Sequence, residues 1–310
     1  MKKSLFLALI FTLSISCSDD DLTIEEVLKE PCLDSEIPCP EIIGEKNNGC
    51  VANIIFIAEG FTESELSEFR SLTEIAKIAI LEMEPFKTSI ENLNFYRVES
   101  ASVTSGIKSI QYTSECNGTT GINTSSDTPW GVFSNKNGLE RFLGMDNSKR
   151  DRLETLFGYY ATGDYAYTII IANSTKYLGG AEFPGLIEHD INAKPKVSNM
   201  IISKHDSGDY FKYLVRHEFG HSFGDLDDEY VDPTALCSLR EQEWFSTSIP
   251  KENVLTYNPG SWYEGARYLP TGYWREWQNS IMRTGYFETE FSPVQYKIVQ
   301  KRLDAAIGCP

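Results

Sequence analysis

Two apolar runs of strand length constrain this chain more than any other feature. Val51 to Ala58 (VANIIFIA) and Tyr165 to Ala172 (YAYTIIIA) are rich in β-branched residues, and the second is apolar enough to require burial on both faces of a sheet. The first run passes through Gly60 to Thr62, with Glu65 three residues on, which predicts a capping box and a helix. Leu66, Phe69, Leu72, Ile75, Ile78, Ala79 and Leu81 then recur at helical spacing, and Pro85 lies just beyond. Phe95 to Val98 and Asn199 to Ser203 read as further strands. Thr104 to Gly138, dominated by Gly, Ser, Thr and Asn, reads as loop. Ser207-Gly208-Asp209 opens a helix to about Phe223, and Ser292 with Pro293 starts another that runs to Ile307. The expected fold is α/β (α+β): a twisted mixed sheet, two helices before Gly224 (one backing the sheet, one carrying the site) and an irregular C-terminal lobe.

The chemistry concentrates in HEFGHSFGDLDDEY, His217 to Tyr230. His217 and His221 stand four apart on a predicted helix, so both imidazoles leave one face and can share one zinc ion, with Glu218 beside them. Zinc acidifies water, and an adjacent carboxylate can take the proton as that water attacks a polarised carbonyl. That is amide hydrolysis without a covalent enzyme intermediate. A catalytic zinc takes a third protein ligand and leaves one position open. The spacing HExxHxxGxxD is that of metzincins, in which the glycine, here Gly224, permits a sharp turn and a later residue returns to the ion. Asp227 fits by count. Asp228 and Glu229 are adjacent and equally acidic, so spacing leaves the choice open. Met282, in Ser280 to Arg283 (SIMR), suits the methionine turn beneath such a site.

Around these residues the sequence resembles the immunoglobulin A (IgA) peptidase family, exported metzincin-like zinc metallopeptidases of bacteria. The resemblance covers roughly residues 51–300. It rests on IFIAEGFTESEL (Ile55 to Leu66) with Pro85-Phe86, IIIANSTKYLGGA (Ile169 to Ala181), the His217 helix with Asp228-Glu229-Tyr230, YEGARY (Tyr263 to Tyr268) and SIMR. It implies a metzincin-like zincin catalytic domain in which Asp228 is the third ligand and Asp227 its neighbour. Cysteines that the family tends to show after its methionine are replaced here by Phe291-Ser292-Pro293.

Other polar residues carry less. His189 and His205 each stand alone beside acidic residues and suit surface or supporting roles. Tyr230, Tyr263, Tyr268 and Tyr286 can each offer a hydroxyl to a developing oxyanion. Gly179-Gly180 suits an edge strand or loop lining the cleft, where substrate backbone could pair, or a simple turn.

The N-terminus sets the compartment. Lys2 and Lys3 precede an apolar run from Leu5 to Leu13 that is too short to span a bilayer, and Leu13-Ser14-Ile15-Ser16-Cys17 looks like a lipobox with Cys17 as the lipidated residue. The expectation is an exported lipoprotein of the outer membrane or cell surface, facing outside or the periplasm, held to the membrane only by a lipid on Cys17. Residues 1–17 would be the signal, 18–50 a flexible Pro-containing tether, and 51–310 the catalytic domain, divided into an upper lobe (51–224) and a lower lobe (225–310). Six further cysteines (Cys32, Cys39, Cys50, Cys116, Cys237 and Cys309) suit disulfides in an exported chain, and no CxxC pair points to a zinc-cysteine site. A formal charge of -17 opposes binding to nucleic acid or anionic lipid. The expected partner is a protein or peptide substrate. Two rival functions fit the same residues: a surface protein that holds zinc and binds host protein without cutting it, and a zinc amidase acting on cell-wall peptide.

Overall fold

A computed structural model describes residues 37–114, 117–124, 126–134, 142–162, 165–176, 179–182, 196–205, 208–232, 248–283 and 288–307. The signal, the Cys17 lipobox, Cys32, Cys116, His189, Cys237, Tyr286 and Cys309 lie outside them. The described residues all belong to the unit Cys32–Pro310, and no helix among them is long and apolar enough to cross a membrane.

The chain runs through β1 (Glu41–Ile42), β2 (Ala52–Glu59), α1 (Leu66–Leu81), β3 (Leu93–Val98), β4 (Lys108–Ser114), β5 (Asn117–Thr124), β6 (Val132–Ser134) and β7 (Leu143–Met145). It continues with α2 (Asn147–Phe157), β8 (Tyr165–Ala172), β9 (Gly179–Glu182), β10 (Lys196–Ser203) and α3 (Gly208–Ser222). It closes with β11 (Val254–Leu255), β12 (Tyr263–Ala266), β13 (Leu269–Arg275) and α4 (Pro293–Ile307). The main sheet has the order β1-β3-β2-β8-β10-β9. Its four inner strands are mutually parallel, while β1 and β9 run antiparallel at the two edges.

The apolar runs become the central strands because both faces of the sheet are covered. Along β2, Ile54, Phe56 and Ala58 enter a core shared with α1, α3 and α4, whereas Ile55 and Ile57 enter a second core with Trp130, Val132, Leu153 and Phe157. Alternate side chains of a strand leave opposite faces, so two covered faces require a continuous apolar sequence. The capping signals are realised too. The Glu65 carboxylate accepts from the Thr62 backbone N–H and hydroxyl, both at 2.8 Å, and Ser292 N–H donates to Gln295 Oε1 at 3.0 Å ahead of α4.

Four expectations change. The stretch Thr104 to Gly138, read as loop, supplies β4, β5 and β6 of a second, four-stranded sheet. Its Gly- and Thr-rich strands lack the apolar alternation that would reveal them. Among the described residues three α-helices precede Gly224 rather than two, because α2 (NSKRDRLETLF) buries only Leu153 and Phe157 and shows no apolar stripe. Residues 37–50, assigned to the tether, join the fold: β1 pairs with β3, Ile37 and Ile43 are buried, and Cys39 and Cys50 are disulfide-bonded. Packing also ignores a lobe boundary at Gly224, since Ile298, Val299 and Leu303 of α4 return to the core beneath β2. The C-terminal lobe carries a three-stranded antiparallel sheet, β11-β13-β12.

Candidate metal centre

Helix α3 is buried on nearly all sides, from Phe211 to Ser222. Phe211, Leu214, Val215 and Phe219 seat it in the core. Arg216 fixes it to the end of α1 by donating to the Ala79 carbonyl at 3.3 Å and pairing with Glu82. Ser198 of β10 donates its hydroxyl to the Ser222 carbonyl. The middle and the C-terminal end of the helix are therefore held, and the faces of its side chains are fixed relative to the sheet.

On one face His217 and His221 meet Asp228. Asp228 Oδ1 is 3.1 Å from Nε2 of each histidine, and the two Nε2 atoms are 3.3 Å apart. These are the three residues among those described that could together hold a metal ion. Each ring is oriented from behind: His217 Nδ1 faces the Ile281 carbonyl at 3.0 Å, and His221 Nδ1 the Leu226 carbonyl at 2.7 Å. A carbonyl can only accept, so both Nδ1 atoms carry a proton and both Nε2 atoms point inward. Burial opposes charge on His221, but the Asp228 carboxylate outweighs it and lifts the imidazole to about 10. Burial would likewise keep Asp228 neutral, yet His221 and His217 hold its carboxyl well below the usual range.

The acidic run separates into distinct roles. Asp225 has φ 55° and pairs with Lys251 and, at 2.9 Å, with Arg302. The left-handed residue of the turn is thus Asp225, not Gly224. Gly224 is needed for close approach instead, because a Cβ there would lie 2.7 Å from the Gly220 carbonyl and 3.0 Å from Val299. The Asp227 carboxylate faces Arg267 at 3.2 Å and accepts from the Lys251 N–H at 2.7 Å. Asp228 faces the histidines and accepts from the Tyr268 hydroxyl at 2.5 Å. Burial and then the Asp228 charge keep that phenol far above its ordinary range, hence protonated and able to donate. Glu229 is fully buried and accepts from Ser280 at 2.9 Å and Asn253 at 3.1 Å. Burial raises its carboxyl, against those hydrogen bonds.

Met282 is fully buried under α3, where a Cβ on Gly220 would lie 2.4 Å from its sulfur. Its carbonyl accepts from the Glu229 N–H at 2.8 Å, which ties Met282 to the acidic run. Glu218 is buried beside Gly179, whose missing side chain leaves room for it: a Cβ there would lie 2.4 Å from Glu218 Oε1. Gly179 and Gly180 lie in the edge strand β9, and Gly179 is also bridged to Phe142 on its outer side.

Of the tyrosines, Tyr268 is committed to Asp228. Tyr230 stacks edge-on against Tyr268, with ring centres 5.0 Å apart, and lies 6.1 Å from His217. Tyr263 is 44% exposed. His205 stands apart from the cluster, 5.1 Å from the Tyr210 ring. Asn253, Gly220 and the pairing of Arg267 with Asp227 were not singled out by the sequence reading.

Comparison with known proteins follows this geometry. A sequence model of the family described as IgA Peptidase M64 matches residues 46–244, from before β2 to beyond Tyr230. Metalloproteinase-II from Bacteroides fragilis is a structural match at 12% identity and a TM-score of 0.37, covering 87% of this chain and 59% of that one. The chain thus spans less than two thirds of that protein's length. No curated protein matches.

Proposed function

Because the chain belongs to the IgA peptidase M64 family, we propose that it is a zinc-dependent endopeptidase that hydrolyses peptide bonds of extracellular proteins. One observation supports the metal above all: the donor triangle of 3.1, 3.1 and 3.3 Å. A tetrahedral zinc with bonds of about 2.0–2.1 Å holds its ligand atoms about 3.3 Å apart. The triangle fits the base of that tetrahedron, and two imidazole nitrogens with a carboxylate oxygen are donors that suit zinc chemically.

When bound, the ion supplies positive charge that acidifies water and polarises the substrate carbonyl. His217, His221 and Asp228 would hold it, with their rings fixed by the Ile281 and Leu226 carbonyls. Glu218 would take the proton of the attacking water and return it to the leaving amine nitrogen. Met282 would form the floor. The lipid anchor on Cys17 would keep the enzyme at the outer membrane or cell surface, within reach of external protein.

The test measures zinc content and cleavage of a mixed protein substrate by the wild type and by Glu218→Ala. Stoichiometric zinc in both, with cleavage lost only in the variant, is expected. Equal cleavage by the two would remove the enzyme reading and leave a binding protein. Labelled palmitate incorporated by the wild type and lost in Cys17→Ala checks the anchor; incorporation that survives the substitution refutes it.

A further inference from the structure

We infer that the tip of the β12–β13 hairpin, Arg267-Tyr268, is a positioning device that selects Asp228 rather than Asp227 as the carboxylate presented beside His217 and His221. The inference rests on the metal-centre reading above and deepens it. Adjacent aspartates pose a problem of register, because a small rotation of the chain could offer either one. The hairpin tip resolves it with two neighbouring side chains that act on the two carboxylates separately.

The backbone docks first. Arg267 N–H donates to the Asp228 carbonyl at 2.8 Å, Tyr268 N–H to the Tyr230 carbonyl at 3.0 Å, and Asp232 N–H to the Tyr268 carbonyl at 3.1 Å. Gly265 admits the approach, since a Cβ there would lie 2.8 Å from Val231. With the tip in place, Tyr268 donates to Asp228 Oδ2 and leaves Oδ1 turned to both histidines. Arg267 draws Asp227 away, and its own guanidinium is fixed by donating to the Ser248 carbonyl at 2.9 Å and hydroxyl at 2.7 Å.

The conformation of the tip points the same way. Arg267 and Tyr268 have φ 52° and 67°, a region that non-glycine residues seldom occupy. A two-residue hairpin tip ordinarily takes Asn or Gly in such positions. Here both positions carry large, buried side chains, and the function of those side chains is what glycine would forfeit.

The test titrates the full chain, stripped of metal by chelation, with zinc against a competing chelator, and follows unfolding of the metal-free form separately. Tyr268→Phe removes one oxygen, and zinc affinity is expected to fall about 10- to 100-fold, with little change in metal-free unfolding. In the Asp228→Ala background the same substitution is expected to change affinity no further, which a merely structural role would not produce. Unchanged affinity in Tyr268→Phe, or an equal loss in both backgrounds, overturns the inference. If Tyr268→Phe does not fold, Arg267→Gln in Asp228→Ala decides: release of Asp227 is expected to tighten zinc binding over Asp228→Ala alone, and no gain overturns the selection. A wild type that takes up no zinc, or loses none with His217→Ala, fails the metal-centre reading itself. A wild type that binds zinc through His217 while Tyr268→Phe is silent fails only the hairpin.

Discussion

Met282 Sδ occupies the space that a Cβ on Gly220 would need, 2.4 Å away. Alanine is the better helix former by about 1 kcal/mol in an open helix, so the sign of Gly220→Ala depends on whether the sulfur can move. Met282 is fully buried and its carbonyl is bonded to Glu229. Gly220→Ala is therefore expected to destabilise by about 1–3 kcal/mol through overpacking. In a urea-unfolding cycle with Met282→Ala, the double variant should lose less than the sum of the singles. Additive losses would mean that the two do not compete for space.

Asn253 joins both sides of the acidic run. Its amide nitrogen donates to the Asp227 carbonyl at 3.0 Å and to Glu229 at 3.1 Å, and its oxygen accepts the Asp227 N–H at 2.9 Å. The residue is almost fully buried. Asn253→Ala leaves those groups unpaired, so a loss of about 1–3 kcal/mol is expected. Asn253→Asp should be worse at neutral pH, because a carboxylate would face Glu229. Urea midpoints that rank Asn253→Asp above Asn253→Ala would contradict this network.

How far sequence reaches is set by the range of the contacts. The four-residue spacing of His217 and His221 is a local, periodic signal, and the two rings do share a face with Nε2 atoms 3.3 Å apart. The β2 and β8 strands were equally visible, because burial on two faces writes itself as an apolar run. Tyr268 is forty residues from Asp228, and no period connects them; its hydroxyl was free to be read as an oxyanion donor. Gly224 was assigned the turn because glycine tolerates φ above zero, yet Asp225 takes that conformation, held by Lys251 and Arg302 from distant segments. Backbone pairing between the polar β4 and β5 leaves even less trace in composition.

Acid should weaken the start of the α1 segment. Burial acts to raise the Glu65 carboxyl, but hydrogen bonds from Thr62 and Ser105 outweigh it and lower the group to about 2. A carboxylate depressed in the folded chain contributes stability above its unfolded value, near 4.5, and that contribution disappears as pH falls toward 2. Glu65→Gln should accordingly be less stable than wild type at pH 7, with the gap closing between pH 4.5 and 2. Denaturant unfolding at three pH values measures it. A gap that does not change with pH would assign the loss to shape, not charge.

Gly179 isolates the role of Glu218 from the holding of a metal. A Cβ at Gly179 would lie 2.4 Å from Glu218 Oε1 and 2.8 Å from Leu214 Cδ1, whereas a Cβ at Gly180 meets only the Leu143 backbone, the carbonyl at 3.3 Å. The nearest atoms that a Cβ on either glycine would meet belong to none of His217, His221 and Asp228. Gly179→Ala is therefore expected to displace the Glu218 carboxylate while zinc stays bound. On the proposed mechanism, in which Glu218 accepts the proton, its displacement is expected to cost about 100-fold or more in kcat/KM, because general-base catalysis contributes about 10²–10⁴-fold. Gly180→Ala should remain within a few-fold of wild type. Zinc content by mass spectrometry and peptide cleavage measured on both variants decide the matter: equal cleavage by Gly179→Ala and Gly180→Ala, with zinc retained in each, would show that the proton-transfer step does not depend on the close seat that β9 provides for Glu218.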